Sequence, residues 1–214
     1  MSEVQIEAGR AVLSGSLTVL EDASGLVLFA HGSGSSRHSP RNQFVARSLS
    51  YAGLATLLFD LLTQEEEAID LQTRELRFNI DLLAERLIQA TKWAKEQPQT
   101  CNLRIGYFGS STGGAAALVA AAQILQDAGA VVSRGGRPDL AGEALPKVMA
   151  PTLLIVGGND DIVIELNEQA RDKMQCKVKL EIIPGATHLF EEPGALEKVA
   201  NLASEWFIAH LAVK

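Results

Sequence analysis

Two short runs, Leu26-Val27-Leu28-Phe29 and Leu153-Leu154-Ile155-Val156, are apolar at every position. A strand with one wet face alternates apolar and polar side chains. A strand with no polar position is covered on both faces, which is the habit of parallel sheets flanked by helices. The rest of the chain fits that constraint. Strand-like runs fall at residues 4–6, 11–20, 25–30, 55–59, 104–108, 130–132, 152–156 and 178–183, and helix-like runs at 42–51, 78–96, 112–128, 164–174 and 196–210. The first two strands have no helix between them and are expected to pair antiparallel. From Gly25 onward strands and helices alternate. The expectation is an α/β fold, a mostly parallel central sheet with helices on both faces, built as one domain over residues 1–214.

Charge narrows the partners. The net charge is −7, and no basic stripe exists to neutralise phosphates, so a nucleic-acid partner is not expected. The longest apolar stretch, 113–132, is rich in Ala and Gly and is broken by Gln123, Gln126 and Asp127. It reads as a buried helix rather than a membrane span. The first residues lack the basic start and apolar core of a secretory signal. Cys101 and Cys176 are too few for a disulfide framework or a zinc site. A cytoplasmic protein with reduced thiols, no metal and no organic cofactor is expected.

Chemistry enters at Gly109-Ser110-Ser111-Thr112-Gly113, which lies between an apolar strand-like run and an Ala-rich helical run. A Gly-x-Ser-x-Gly turn in that context forces its central residue into a strained conformation and holds the side chain above the sheet edge. Ser111 is therefore the candidate nucleophile, with the helix N-terminus directed at any negative charge formed there. The pentapeptide by itself also fits a flexible loop, so a base, an orienting acid and an oxyanion site must come from elsewhere.

Ligands bind such sheets at the carboxyl ends of the strands. His188 follows the last strand there and is the candidate base, the alternative being a structural loop histidine. Asp160 and Asp161 compete for the orienting role. Asp160 has the spacing of an acid that turns inward before a helix, and Asp161 that of a solvated residue or a cap. The oxyanion donors are expected from the N–H of Thr112 and from the loop His31-Gly32-Ser33-Gly34, with Ser33 first and Gly34 second. That loop lacks the endings of a phosphate-cradling or dinucleotide-binding motif.

With these motifs in order, the chain resembles the α/β-hydrolase superfamily from Gly25 to His210, and within it the small, capless dienelactone-hydrolase-like branch. The resemblance rests on His31-Gly32-Ser33-Gly34, the turn around Ser111, Asp160 in its Gly-x-x-Asp setting, and His188. Dienelactone hydrolases proper carry a cysteine nucleophile where this chain has Ser111. The segments 31–42 and 133–139 also resemble hydrolase domains found alone or joined to phosphoribosyltransferase domains.

The resemblance implies a serine-dependent acyl hydrolase acting on a small-molecule ester or lactone through Ser111, His188 and Asp160. Two alternatives stay open: a ligand-binding module without catalysis, and an accessory domain working with a phosphoribosyltransferase. Arg37 and Arg134 are candidates to bind an anionic substrate group, with Arg74, Arg77 and Arg137 near the same edge. The alternative is that these arginines pair with Asp60, Glu65–Glu67, Asp139 or Glu143 to lock loops. The acidic segment 61–77 reads as a solvated loop or the start of a helix.

Overall fold

The computed structural model describes residues 1–212. Eight strands form one sheet: β1 (Ser2–Ala8), β2 (Ala11–Thr18), β3 (Leu26–Ala30), β4 (Ala55–Phe59), β5 (Ile105–Ser110), β6 (Ala128–Arg134), β7 (Thr152–Gly157) and β8 (Val178–Ile183). Their order across the sheet is β1-β2-β4-β3-β5-β6-β7-β8. β1 pairs antiparallel with β2 and β2 antiparallel with β4, and all other neighbours are parallel. Six α-helices accompany them: α1 (Pro40–Tyr51), α2 (Gln64–Thr73), α3 (Ile80–Glu96), α4 (Thr112–Gln123), α5 (Asp161–Lys173) and α6 (Ala195–Leu211).

Alternate residues of each central strand enter two different cores. Leu26, Leu28, Tyr107 and Val131 pack with α3 and α4, whereas Val27, Phe29, Phe108 and Val132 pack with α1 and α6. This is why β3, and β7 from Leu153 to Val156, have no polar position. Leu153 and Leu154 are both buried, on opposite faces. Each fully buried Leu or Phe contributes about 1.5–3 kcal/mol. A polar pair deep in this core, Tyr107 Oη and Thr91 Oγ1 at 2.7 Å, is mutually satisfied, as burial requires.

Two boundaries that bear on the site differ from the sequence expectation, and one open reading is resolved. The Ala-rich helix α4 stops at Gln123, because Ala128 must be extended to pair with Ile105. β6 runs on to Arg134, two residues past its apolar stretch, so this arginine lies within the sheet rather than in a loop after it. The acidic segment is a helix start. Thr63 Oγ1 accepts from Glu66 N–H while the Glu66 carboxylate accepts from Thr63 N–H, and Glu65, Glu66 and Glu67 occupy the positive first turn of α2.

Candidate active site

Ser111 sits between β5 and α4 with φ 52° and ψ −122°. This left-handed conformation costs a non-glycine residue about 1–3 kcal/mol and persists only where the surroundings enforce it. The glycines on either side do so by close approach. A Cβ on Gly113 would lie 2.6 Å from the Ala30 carbonyl carbon, and one on Gly109 2.6 Å from the Gly114 Cα. Neither neighbour can give way, since one is a central strand and the other the first turn of α4.

The loop after β3 is pressed against the same serine, because a Cβ on Gly32 would lie 3.1 Å from the Ser111 Cβ. Ser33 Oγ and Thr112 Oγ1 are 3.0 Å apart. Neither the Ser33 nor the Thr112 N–H donates to a backbone acceptor, although Thr112 is buried. Among the described residues, then, two backbone N–H groups without a backbone acceptor lie in the segments beside the nucleophile candidate. His31 fixes this loop from below. Its Nε2 accepts from Leu61 N–H at 3.0 Å, which leaves the proton on Nδ1 to donate to Gly32 O at 3.0 Å. Burial holds its pKa below the ordinary histidine value, with the Gly32 bond and the charges of Asp60 and Glu67 opposing the shift.

Across the sheet edge, His188 Nδ1 lies 2.7 Å from Asp160 Oδ2. Asp160 is the residue before α5, yet its side chain makes no cap to that helix and turns to the imidazole. Asp161 is the first residue of α5 and exposed, so geometry separates the two acids. The acid and histidine loops are tied together by Asn159 N–H to Ala186 O at 2.9 Å and Asn159 Nδ2 to Gly185 O at 3.0 Å. Ser111 and His188 border one short turn. Ser111 N–H donates to Arg134 O at 3.2 Å and Arg137 N–H to Ser111 O at 3.1 Å. The His188 Cε1 lies 3.6 Å from where a Gly135 Cβ would stand. Among the described residues no hydrogen bond joins Ser111 Oγ to His188; such contacts are often long in the absence of substrate and tighten during reaction.

The arginines divide. Arg37 follows the loop-locking alternative: Asp60 holds it through both its guanidinium and its backbone N–H, with Glu3 3.5 Å away. Arg77 pairs with Asp70 at 2.6 Å while lining a cavity of about 60 Å³ with Thr112, Ser33 and His31. Arg137 pairs with Asp139 at 2.8 Å. Arg134 is buried and makes no ion pair among the described residues. Sequence reasoning missed the Asp70–Arg77 pair, whose signal was only an acid seven residues before an arginine. It also missed Asn42, which is buried with Oδ1 3.4 Å from Ser110 Oγ, the residue before the nucleophile candidate. No group of three or more metal-ligating side chains occurs among the described residues, and none of their helices is long and apolar enough to cross a membrane.

A mixed eight-stranded sheet with a strained serine between β5 and α4, and an acid–histidine pair in the loops after β7 and β8, defines an α/β-hydrolase. The chain belongs to the dienelactone hydrolase family, whose sequence pattern matches residues 20–209. It is 62% identical to a dienelactone hydrolase from Anabaena variabilis ATCC 29413, covering 98% of this chain and 97% of that one with a TM-score of 0.97. It is 60% identical over 209 residues to a protein of Mycobacterium tuberculosis named "Putative phosphoribosyl transferase". That match covers 98% of this chain but 46% of the relative, so the chain spans about half the length of the curated relatives it matches. Est1E from Butyrivibrio proteoclasticus shares the fold, with a TM-score of 0.81 at 18% identity over 98% of each chain. The broad activity that accompanies this family is hydrolysis.

Proposed function

We propose that the protein is a serine-dependent acyl hydrolase, a carboxylesterase or related hydrolase of small esters and lactones. The observation that carries this reading is the 2.7 Å contact of Asp160 with His188 at the edge where Ser111 is held at φ 52°. Ser111 Oγ attacks the carbonyl carbon as His188 Nε2 takes its proton. Asp160 holds the imidazole with Nδ1 protonated and offsets the charge that forms on it. The N–H groups of Ser33 and Thr112 receive the oxyanion. Collapse expels the alcohol, which takes its proton from His188, and a water activated by the same imidazole then releases the acid. The reading requires no metal or organic cofactor.

A fluorophosphonate probe tests it. Ser111 is expected to be labelled, and Ser111→Ala to lose labelling and ester turnover with an unchanged circular dichroism spectrum. Wild-type protein that hydrolyses no ester and takes no label at Ser111 ends the proposal. One observation favours a second reading, that the domain works beside a phosphoribosyltransferase: the mycobacterial relatives carry that name and are about twice as long. Co-purification of a phosphoribosyltransferase with the tagged protein would support this, and a solitary active esterase would count against it.

A further inference from the structure

The short turn at the end of β6, residues 134–137, touches both halves of the candidate site. Its Arg134 carbonyl accepts from Ser111 N–H at 3.2 Å, and its Arg137 N–H donates to Ser111 O at 3.1 Å. On the other side Gly135, at φ 50°, packs against the histidine loop. A Cβ there would lie 3.1 Å from His188 O and 3.4 Å from the Phe190 ring. Gly135 N–H also donates to Ile155 O at 2.7 Å, which ties the turn to β7, the strand that leads to Asp160. Nucleophile, base and acid are therefore all spaced through this one turn.

Gly136, at its centre, is buried, and a buried carbonyl needs a donor. Asn167 of α5 supplies it. Its Nδ2 donates to Gly136 O at 3.0 Å and to Val163 O, one turn back on the helix, at 2.7 Å. Among the described residues, no other side chain hydrogen-bonds to the backbone of this turn. Asn167 is 0% exposed, and its Oδ1 is buried with no partner. An unpaired buried acceptor is costly. A leucine of similar volume would avoid that cost, so filling space does not explain an asparagine here. What leucine lacks is the donor. Asn167 also stands about two helical turns beyond Asp160, so a single helix begins at the acid and grips the turn that meets the other two residues.

We propose that Asn167 is a positioning residue. By holding Gly136 O it fixes the 134–137 turn against α5, and so keeps Ser111, His188 and Asp160 in register. It touches no substrate and moves no proton. The anchoring stands on the contacts just given, whereas its effect on rate rests on the hydrolase reading.

The test compares three variants of the full chain. Asn167→Leu keeps the volume and removes the donor, and Asn167→Ala removes the donor without risk of overpacking. Ala170→Gly, buried on the same helix, loosens packing without touching the turn. Amide hydrogen exchange followed by NMR reads the turn directly. Both Asn167 variants are expected to exchange the Ser111 and Arg137 amides about tenfold faster than Ala170→Gly does, as local opening would produce. With p-nitrophenyl acetate, their kcat is expected to fall about tenfold or more, with KM within about twofold of wild type, because displaced reacting groups cost rate rather than binding. Ala170→Gly should keep its kcat. Exchange at these two amides that matches Ala170→Gly, or a kcat loss no greater than in Ala170→Gly, would overturn the proposal. Wild-type protein without turnover ends the hydrolase reading instead, and the exchange rates then decide the anchoring by themselves.

Discussion

Asp160→Asn separates the orienting role of this residue from every other role it could have. The side chain makes no cap to α5, so the amide should leave the helix intact. It lies 2.7 Å from His188 Nδ1, and only a fifth or less of the Asp160 side chain is exposed, 17% against 39% for His188. Two unit charges about 4 Å apart attract by about 4 kcal/mol at an effective dielectric constant near 20. The exposed flank of the imidazole lets water screen part of this, which leaves about 2–4 kcal/mol for stabilising the imidazolium as it forms. At 1.36 kcal/mol per decade, kcat is expected to fall by about 30-fold to 1,000-fold. An asparagine that donates to Nδ1 would also favour the wrong tautomer and push the loss toward the upper end. The assay is initial-rate hydrolysis of p-nitrophenyl acetate by wild-type, Asp160→Asn and Asp161→Asn proteins, each first shown to melt within a few degrees of the others. KM should change little, because the carboxylate does not contact substrate. A kcat for Asp160→Asn within threefold of wild type, or a larger loss for Asp161→Asn, would refute the assignment.

Two further outcomes follow from the packing around the site. Gly113→Ala places a methyl group into the Ala30 carbonyl, where backbone rather than a flexible side chain must move; overpacking of this kind is expected to cost about 3 kcal/mol or more. That corresponds to a drop in Tm of about 6–12 °C, read by calorimetry, and an unchanged Tm would show that the turn is not held by close contact. His31 is neutral in the fold and has a depressed pKa, so the unfolded chain binds its proton more readily. Its contribution to stability is present above about pH 6.5 and is lost as pH falls from there through the depressed folded value. Urea unfolding at a series of pH values should show a steeper acid-side loss in wild type than in His31→Gln, and parallel curves would contradict the hydrogen-bond assignment.

Local sequence carried the architecture because local physics sets it. Runs such as Leu153-Leu154-Ile155-Val156 have no polar residue to face water, so two covering layers were required before any coordinate was known. The Gly-x-Ser-x-Gly turn was legible for the same reason, since its glycines answer contacts made within a few residues and with the adjoining strand. Partner choice was not local. Asp60 meets Arg37 from 23 residues away, and Asp160 meets His188 from 28, so the sequence offered these pairings only as one choice among several and the folded chain supplied the contacts. Charge patterning placed several arginines near one edge and could not tell which were neutralised.

The sequence by itself determined a helix-covered parallel sheet and a strained serine at the carboxyl end of one strand, because these depend on periodicity and backbone sterics. Spacing already favoured Asp160 over Asp161; the tertiary structure alone decided which of the arginines are neutralised, that Arg37 belongs to Asp60 and that Arg134 is buried against Phe190. Those outcomes depend on distance and on water exclusion, and neither exists until the loops at the sheet edge have closed over one another.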